Sequence, residues 1–345
     1  MASVDSTTGD SISTLHPDII QTHILTRLDA PALASAASTS TYLQTLCTEQ
    51  KLWQKISTAT WPSINDPRIV KAISSFPSGY SSFYADSHPF TEHTWQPEKQ
   101  DPPTTGLISA VDLYYRGELI YSKVQDMEKE SGKSSGWFLS SPFRVDMVDP
   151  KETVKTPIRY PGGDYEVWVK DMEESMRLDW IVIDPIKKRA ANISSRKAVT
   201  ARRNWLSGDL EIIFSTVAAA DEGKKVAEVA AVVSCGSAET WKEVDEEVGG
   251  EVDVTGVRLQ VEDIEGKCLR GRDSLVILQG LLAGKRRCCK DGGEERRCSG
   301  RYEEYVGMKT QWREKRERSE RAQDTICMIF GFSLFVLLWS FILLR

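Results

Sequence analysis

Residues 15–28 read LHPDIIQTHILTRL and set the fold of the N-terminal part of the chain. Pro17 and Asp18 suit the first turn of a helix, because the N–H that proline lacks is not needed there and a carboxylate stabilises the positive end of the helix dipole. Large apolar side chains then recur at every fourth position, which predicts one apolar helix face. These side chains are Ile20, Ile24 and Leu28. Similar patterns continue downstream, so we expect short helices over residues 12–61.

The same stretch resembles the F-box, a small helical protein-binding module. That family opens with leucine and proline, an acid and two apolar residues, then runs to Ile-Leu-x-Arg-Leu and often to a later Leu-Trp. The matching positions are Leu15, Pro17, Asp18, Ile19, Ile20, residues 24–28 and Leu52-Trp53. The proline comes one residue later than usual, and residues 38–42 replace the Cys-Lys-x-Trp segment common in the middle helix. The alternative is a generic small helical bundle.

The resemblance implies a three-helix F-box at residues 12–57 and the role of substrate receptor in a Skp–cullin–F-box ubiquitin ligase. In that family the F-box binds a Skp-type adaptor, and through it a cullin, while the rest of the chain recruits a target. A small helical unit has little core of its own and can leave an apolar face for a partner. The residues predicted for this Skp-binding face are Leu15, Pro17, Ile19, Ile20, Leu25 and Leu28. Some of them must instead hold the F-box together, and the sequence alone does not sort them.

Residues 58–105 are predicted to form a helical extension followed by a linker. Proline interrupts helices and central strands, and the polar part of this segment is rich in it. The prolines are Pro89, Pro97, Pro102 and Pro103. Residues 1–11 are predicted to be a disordered tail, and we expect no signal peptide because the start of the chain has neither a basic leader nor an apolar run.

Residues 106–284 change to the two-residue period of β-strands. Val257, Leu259 and Val261 alternate with polar residues, as in a half-buried strand. Helical patterns between the candidate strands are weak, which favours an antiparallel, sandwich-like domain. The further candidate strands are 165–170, 179–184, 210–217, 226–235 and 274–282, with a hairpin at 113–121. The predicted fold class is α+β multidomain, and this second domain is expected to bind the target.

Six tryptophans lie between residues 95 and 241: Trp95, Trp137, Trp168, Trp180, Trp205 and Trp241. The segments 178–185 and 204–206 resemble a plant group of F-box proteins with a tryptophan-containing C-terminal domain. The target is then an unidentified protein or glycoprotein. A tryptophan in a β-sandwich is more often core, but an indole can also stack on a sugar. A membrane-tethered carbohydrate-binding module, like the phloem-lectin domains joined to some plant F-boxes, is therefore the alternative function.

The segment 326–344 reads ICMIFGFSLFVLLWSFILL and carries no charge. A helix of this length spans about 28 Å, close to the hydrocarbon thickness of a bilayer. Within residues 285–325, residues 285–300 are predicted to be a charged loop and residues 301–324 a juxtamembrane helix, whose Lys and Arg residues favour the cytosolic side. We expect a C-terminal membrane anchor in contact with lipid, with the N-terminus in the cytosol; the alternative is a packed core helix. Representative anchor residues are Ile326, Phe335, Leu337 and Leu344.

Composition argues against several other classes of protein. The net charge of −6 argues against nucleic acid as a partner. Seven cysteines without regular spacing fit a reducing compartment better than a secreted disulfide scaffold. The sequence Gly132-Lys133-Ser134 lacks the first glycine of a phosphate-binding loop, and no serine or cysteine lies in a nucleophile-elbow context. We therefore predict no cofactor, no metal site and no enzymatic activity.

Overall fold

The computed structural model describes residues 16–88, 91–92, 106–127, 135–221, 225–236, 250–286 and 293–344. As predicted, short helices come first, an antiparallel β region follows, and an apolar helix comes last. The helices are α1 (Pro17–Ile19), α2 (Ala30–Ala37), α3 (Thr41–Cys47), α4 (Gln50–Thr60), α5 (Pro67–Ser74), α6 (Gly79–Ser87), α7 (Ser135–Ser140), α8 (Tyr165–Ser175), α9 (Gly271–Ala283) and α10 (Gly293–Leu343). The strands are β1 (Thr91–Glu92), β2 (Ile108–Tyr115), β3 (Glu118–Asp126), β4 (Arg144–Asp146), β5 (Arg159–Tyr160), β6 (Met176–Asp184), β7 (Arg189–Asn192), β8 (Arg196–Lys197), β9 (Thr200–Arg203), β10 (Leu210–Asp221), β11 (Lys225–Gly236), β12 (Gly250–Glu251), β13 (Asp253–Asp263) and β14 (Lys285–Arg286).

Side-chain capping explains where the N-terminal helices begin. Asp29 Oδ1 accepts a hydrogen bond from the amide of Ala32 at 2.9 Å, and Ser40 Oγ accepts one from the amide of Leu43 at 3.2 Å. Asp66 caps α5 in the same way. These short polar side chains satisfy amides that the start of a helix leaves without intrahelical partners. The capped helices then pack around one shared apolar core.

The longer strands form two antiparallel sheets. The first sheet has the order β3-β2-β6-β7, with β8 paired to β6, and the second has the order β4-β13-β11-β10-β9. One apolar core lies between them and draws side chains from both sheets. The mostly antiparallel β region expected from the sequence is therefore present, and we call its two sheets with their shared core the sandwich. The hairpin predicted at 113–121 is also present, because β2 and β3 turn through Arg116 and Gly117 with φ values of 50° and 84°. Two positive φ values suit a tight hairpin turn.

Two segments that the sequence analysis assigned to strands are helical. Residues 165–170 lie in α8, where Asp164 accepts a hydrogen bond from the amide of Glu166 at 2.9 Å. This N-cap fixes the helix start, and Trp168 and Met172 then bury one face at helical spacing.

The second reassigned segment, 274–282, lies in α9. Its buried side chains follow the helical period, because a residue recurs on the same face every three or four positions. They are Ser274, Leu275, Ile277, Leu278, Leu281 and Leu282. This helix contributes its apolar face to the core between the two sheets.

The two central strands of the first sheet, β2 and β6, are buried on both faces. Along β6, Leu178, Trp180 and Val182 point into the sandwich core, whereas Ile181 and Ile183 belong to the core of the N-terminal helices. Successive strand residues point to opposite faces, so a sheet covered on both sides needs consecutive apolar residues. The N-terminal helices and the sandwich are therefore packed against each other through one layer of strands.

The helix α10 starts earlier than predicted and runs without a break. It begins at Gly293, inside the segment 285–300 that the sequence analysis treated as a charged loop, and β14 in that segment pairs with β1 in the predicted linker. Within the helix, Tyr305 is buried on the second sheet. The apolar side chains described within residues 326–344 are exposed, and the helix is long and apolar enough to cross a membrane. Residues 1–11 and the four linker prolines lie outside the described residues.

Candidate protein-docking surface

The N-terminal segment begins as α1 and then changes its hydrogen-bond pattern. His16 Nδ1 accepts a hydrogen bond from the amide of Asp18 at 3.3 Å, which caps the first turn. After Ile19 the chain forms a π-helical turn, in which the amide of Leu25 donates to the carbonyl of Ile20. Because this bond connects residues i and i+5, the turn is wider than that of an α-helix. The regular hydrogen-bond pattern of an α-helix is therefore interrupted between Ile19 and Leu25.

The residues predicted to bind a Skp-type adaptor differ in their exposure to solvent. Ile20 and Leu25 are 1% and 2% exposed and belong to the core of the helices. In this structure these two residues hold the helices together, and a contact between them and an adaptor stays a prediction. Pro17 and Ile19 lie on the surface, because Pro17 is exposed and Ile19 is 47% exposed.

Ile24 is the surface residue that the sequence analysis missed. The four-residue spacing predicts that Ile24 shares the buried face of Ile20, whereas Ile24 ends the π-helical turn and is 41% exposed. Leu28 is half-buried against the helical core, and Leu15 lies outside the described residues. We call the resulting surface the N-terminal docking face; its exposed members are Pro17, Ile19 and Ile24.

The core beneath this face explains the Leu-Trp pair of the F-box pattern. Leu52 and Trp53 are both buried, and the indole N–H of Trp53 donates a hydrogen bond to the carbonyl of Cys47 at 2.8 Å. The rings of Trp53 and Tyr84 lie 5.5 Å apart. Burial also raises the pKa of the Cys47 thiol, which keeps it protonated inside the apolar core. The pair therefore belongs to the same apolar core as Ile20 and Leu25.

A buried polar cluster fixes these helices on the first sheet. Asp112 accepts hydrogen bonds from the amide of Ser63 at 3.0 Å, from its hydroxyl at 2.6 Å, and from the hydroxyl of Ser122 at 2.7 Å. Burial raises the pKa of Asp112 to about 6, although these hydrogen bonds lower it. Asp179 lies directly opposite on β6, and burial raises its pKa too, against the opposing charge of Arg196. The cluster therefore connects the N-terminal segment at Ser63 to strands β2 and β3.

Four of the six tryptophans between residues 95 and 241 lie in the described part of the chain, two buried and two exposed. Trp168 and Trp180 are buried, and the indole N–H of Trp180 donates to Ser109 Oγ at 3.1 Å, so these two are core residues. Trp137 and Trp205 are exposed. The remaining two, Trp95 and Trp241, lie outside the described residues.

Comparison with known proteins gives three relatives from Arabidopsis thaliana that match nearly the whole chain. F-box protein At2g27310 is 79% identical over all 345 residues and over its own full length. Probable F-box protein At2g36090 is 41% identical, with 99% of this chain and 97% of its own length covered. F-box protein At3g44326 is 37% identical, with 96% and 89% covered.

The other two comparisons found no counterpart: no family model and no solved structure matches the chain. The family assignment therefore rests on the full-length relatives and agrees with the motif residues at the N-terminus. Identities between 37% and 79% over at least 96% of the chain leave no separate region unmatched. The chain belongs to the plant F-box protein family.

Proposed function

We propose that this protein is a substrate receptor of a Skp–cullin–F-box ubiquitin ligase and acts as a non-catalytic adaptor. The N-terminal docking face binds a Skp-type adaptor, and the sandwich holds a target for ubiquitination. The observation that carries the proposal is the exposure of Ile19 and Ile24 on helices that already possess a buried core. Large apolar side chains on a small folded unit mark a protein interface, and family membership points to the Skp-type adaptor as its occupant.

Binding to a purified Skp-type adaptor tests this role. The full chain in detergent micelles should bind the adaptor, and the double variant Ile19→Ala/Ile24→Ala should bind it at least about 30-fold more weakly, as expected for central interface residues. Val70→Ala is the matched control, because Val70 is a similarly exposed β-branched residue on α5. Ile20→Ala should lower the thermal stability instead. A wild-type chain that does not bind the adaptor contradicts the proposal.

We further propose that residues 326–344 cross a membrane and leave the N-terminus in the cytosol. The exposure of their apolar side chains supports this, because a helix packed in a soluble core buries such residues. Ile326, Phe335, Leu337 and Leu344 are all exposed, so lipid is the solvent that fits them. In this arrangement the receptor recruits its target at a membrane surface.

Alkaline carbonate extraction of cell membranes tests the anchor. The wild-type chain should stay in the membrane pellet, whereas Phe335→Arg/Leu337→Arg should become soluble, since each charge near the centre of a span costs about 2.5–3.5 kcal/mol. Gln311→Arg/Gln323→Arg adds the same charge outside the apolar segment and should remain membrane-bound. Release of the wild-type chain contradicts the anchor, and a lumenal N-terminal tag in sealed vesicles contradicts the orientation.

A further inference from the structure

The loop between β9 and β10 presents two large apolar side chains to solvent. Trp205 is 92% exposed and its neighbour Leu206 is 78% exposed. A buried tryptophan gains most of its stabilising effect from the large area that it removes from water, and here that area is left open. Adjacent exposed residues of this size are typical of the anchors of protein interfaces.

This loop is held in one shape by its own hydrogen bonds. Asn204 Oδ1 accepts from the amides of Leu206 at 2.9 Å and Ser207 at 3.3 Å. Asn204 Nδ2 donates to Glu211 at 3.0 Å, and Gly208 takes a φ of 79° that only glycine adopts without strain. A loop ordered before binding loses little conformational entropy when a partner arrives. Trp205 is therefore displayed on a rigid support.

The loop lies at the end of the second sheet that is remote from the membrane segment. The helix α10 leaves this sheet beside the turn that follows β13, where Tyr305 Oη donates to the carbonyl of Asp263 at 3.1 Å and Arg316 lies 3.9 Å from Glu265. Along β10, Leu210 stands next to the loop, whereas Ala218 stands near the other end; eight residues of strand separate them by about 26 Å. Lipid is therefore not the partner that this geometry favours.

Charge gives the chemistry of the partner. Arg202 and Arg258 share the single carboxylate of Glu211, at 3.2 Å and 2.6 Å. Arg203 adds another positive charge over the ring of Tyr165, with its guanidinium carbon 5.5 Å from the ring centre. Strand β9, which leads into the loop, is thus basic. It favours a partner that places carboxylates next to the group packed on the indole. The indole stands on a convex loop, whereas small-ligand sites are concave, which favours a protein segment over a sugar.

We propose that residues 203–206 form the target-docking site of this receptor, and that they bind a protein segment carrying an aromatic or aliphatic anchor next to Asp or Glu. This inference rests on the proposed receptor function, because it names the surface through which that receptor holds its target. The anchor packs on Trp205 and Leu206, and the acidic residues face the arginines of β9.

Selection from a displayed library of random 12-residue peptides, with the purified full chain in detergent micelles as bait, tests the proposal. Enriched peptides should contain Trp, Phe or Leu flanked by Asp or Glu, and their binding should weaken with added salt. Trp205→Ala should weaken the best synthetic peptide at least tenfold in fluorescence polarisation. Trp137→Ala removes another exposed indole on α7 and should leave the affinity unchanged. Leu206→Ser, a second loop variant, should weaken the peptide as well.

Each outcome of this experiment decides the proposal. Failure to enrich peptides, or equal binding by Trp205→Ala, overturns it. Binding to a glycan array that is lost in Trp205→Ala also overturns it, in favour of a sugar site. The same protein preparations are tested against a Skp-type adaptor. If that adaptor binds and the peptides do not, the docking site is wrong while the receptor role stands; if the peptides bind and the adaptor does not, the receptor role is wrong.

Discussion

The two sheets of the sandwich are both covered on their outer faces, but by different chemistry. On the first sheet, Ile181 and Ile183 join Trp61 and Phe83 of the N-terminal segment in one apolar core. On the second sheet, the apolar cluster is small and lies among charged residues that contact α10. Its members are Ile213, Ala230 and Val232, with Val199 packed against them. An apolar interface is worth more per unit area than ion pairs that are partly exposed.

The difference indicates which parts of the molecule behave as one body. The N-terminal helices share their core with the sheet, and polar contacts add direction, such as Tyr114 Oη donating to the carbonyl of Thr60 at 2.8 Å and Arg189 Nε donating to Asp86 at 2.8 Å. The helix α10 is held by fewer groups around Tyr305 and Lys309. We expect the first contact to be needed for folding and the second to add stability. Variants that remove each contact in turn distinguish the two contributions.

Removing residues 1–88 should destabilise the fold more than any other change considered. Without the helices, the outer face of the first sheet exposes an apolar patch large enough to promote aggregation. Its members are Ile108, Ala110, Ile181, Ile183 and Ala190. We expect the truncated chain in detergent micelles to lose cooperative thermal unfolding in circular dichroism, whereas a chain lacking only residues 1–11 should keep it. A well-folded, monomeric truncated chain contradicts this prediction and supports an independent domain at residues 106–284.

Tyr305→Ala should cause the next largest loss in the free energy of unfolding. Tyr305 is fully buried, and burial raises its pKa, so the phenol stays protonated and donates to the carbonyl of Asp263. Deleting a buried aromatic side chain costs about 3–5 kcal/mol, whereas Tyr305→Phe loses mainly one hydrogen bond, about 1 kcal/mol. Urea unfolding of the full chain, followed by tryptophan fluorescence, measures both values. Equal stability of Tyr305→Ala and the wild type would show that α10 does not rest on the sheet.

The sequence predicts the strands that have one polar face and fails where other forces decide. The alternation at residues 257–261 correctly predicts β13, because that pattern records one face in the core. In β6, residues 180–183 are all apolar, and this run indicates a strand buried on both faces. The apolar run predicts the strand but not the helices that cover its second face.

Local geometry accounts for the errors at the candidate site. Ile20 and Ile24 are four residues apart, which predicts one shared face, yet they begin and end a π-helical turn in which Ile20 is buried and Ile24 is exposed. The sequence of these side chains does not predict the π-helical turn. In α8, by contrast, Asp164 was an available N-cap signal ahead of an aromatic and β-branched run that suggested a strand.

Lys309→Met should have a moderate effect that depends on pH. Lys309 Nζ lies 3.5 Å from Glu228 and 3.6 Å from Glu262, two carboxylates that face each other on neighbouring strands. Burial raises the pKa of Glu262, and the charge of Lys309 lowers it. Without the cation we expect a loss of about 1–2 kcal/mol at pH 7 and a smaller loss as the pH is lowered, because uptake of a proton by the carboxyl removes the repulsion between the two carboxylates. Lys315→Met, at an exposed site on the same helix, is the control, and an equal loss in both variants contradicts the prediction.

Asp112→Asn should have the smallest effect, and its sign should follow pH. The pKa of Asp112 is about 6 in the folded chain and near 3.8 when unfolded, so the folded state binds more protons between these values. The stabilisation that the Asp112 carboxyl contributes is therefore fully present below about pH 4 and is lost as the pH rises through 6. The neutral amide in Asp112→Asn removes that dependence. Relative to the variant, the wild type should gain about 1 kcal/mol between pH 7.5 and pH 5 in urea unfolding of the full chain. Parallel pH profiles for the two proteins would mean that Asp112 keeps an ordinary pKa, and that the hydrogen bonds from Ser63 and Ser122 fully offset its burial between the helices and the sheet.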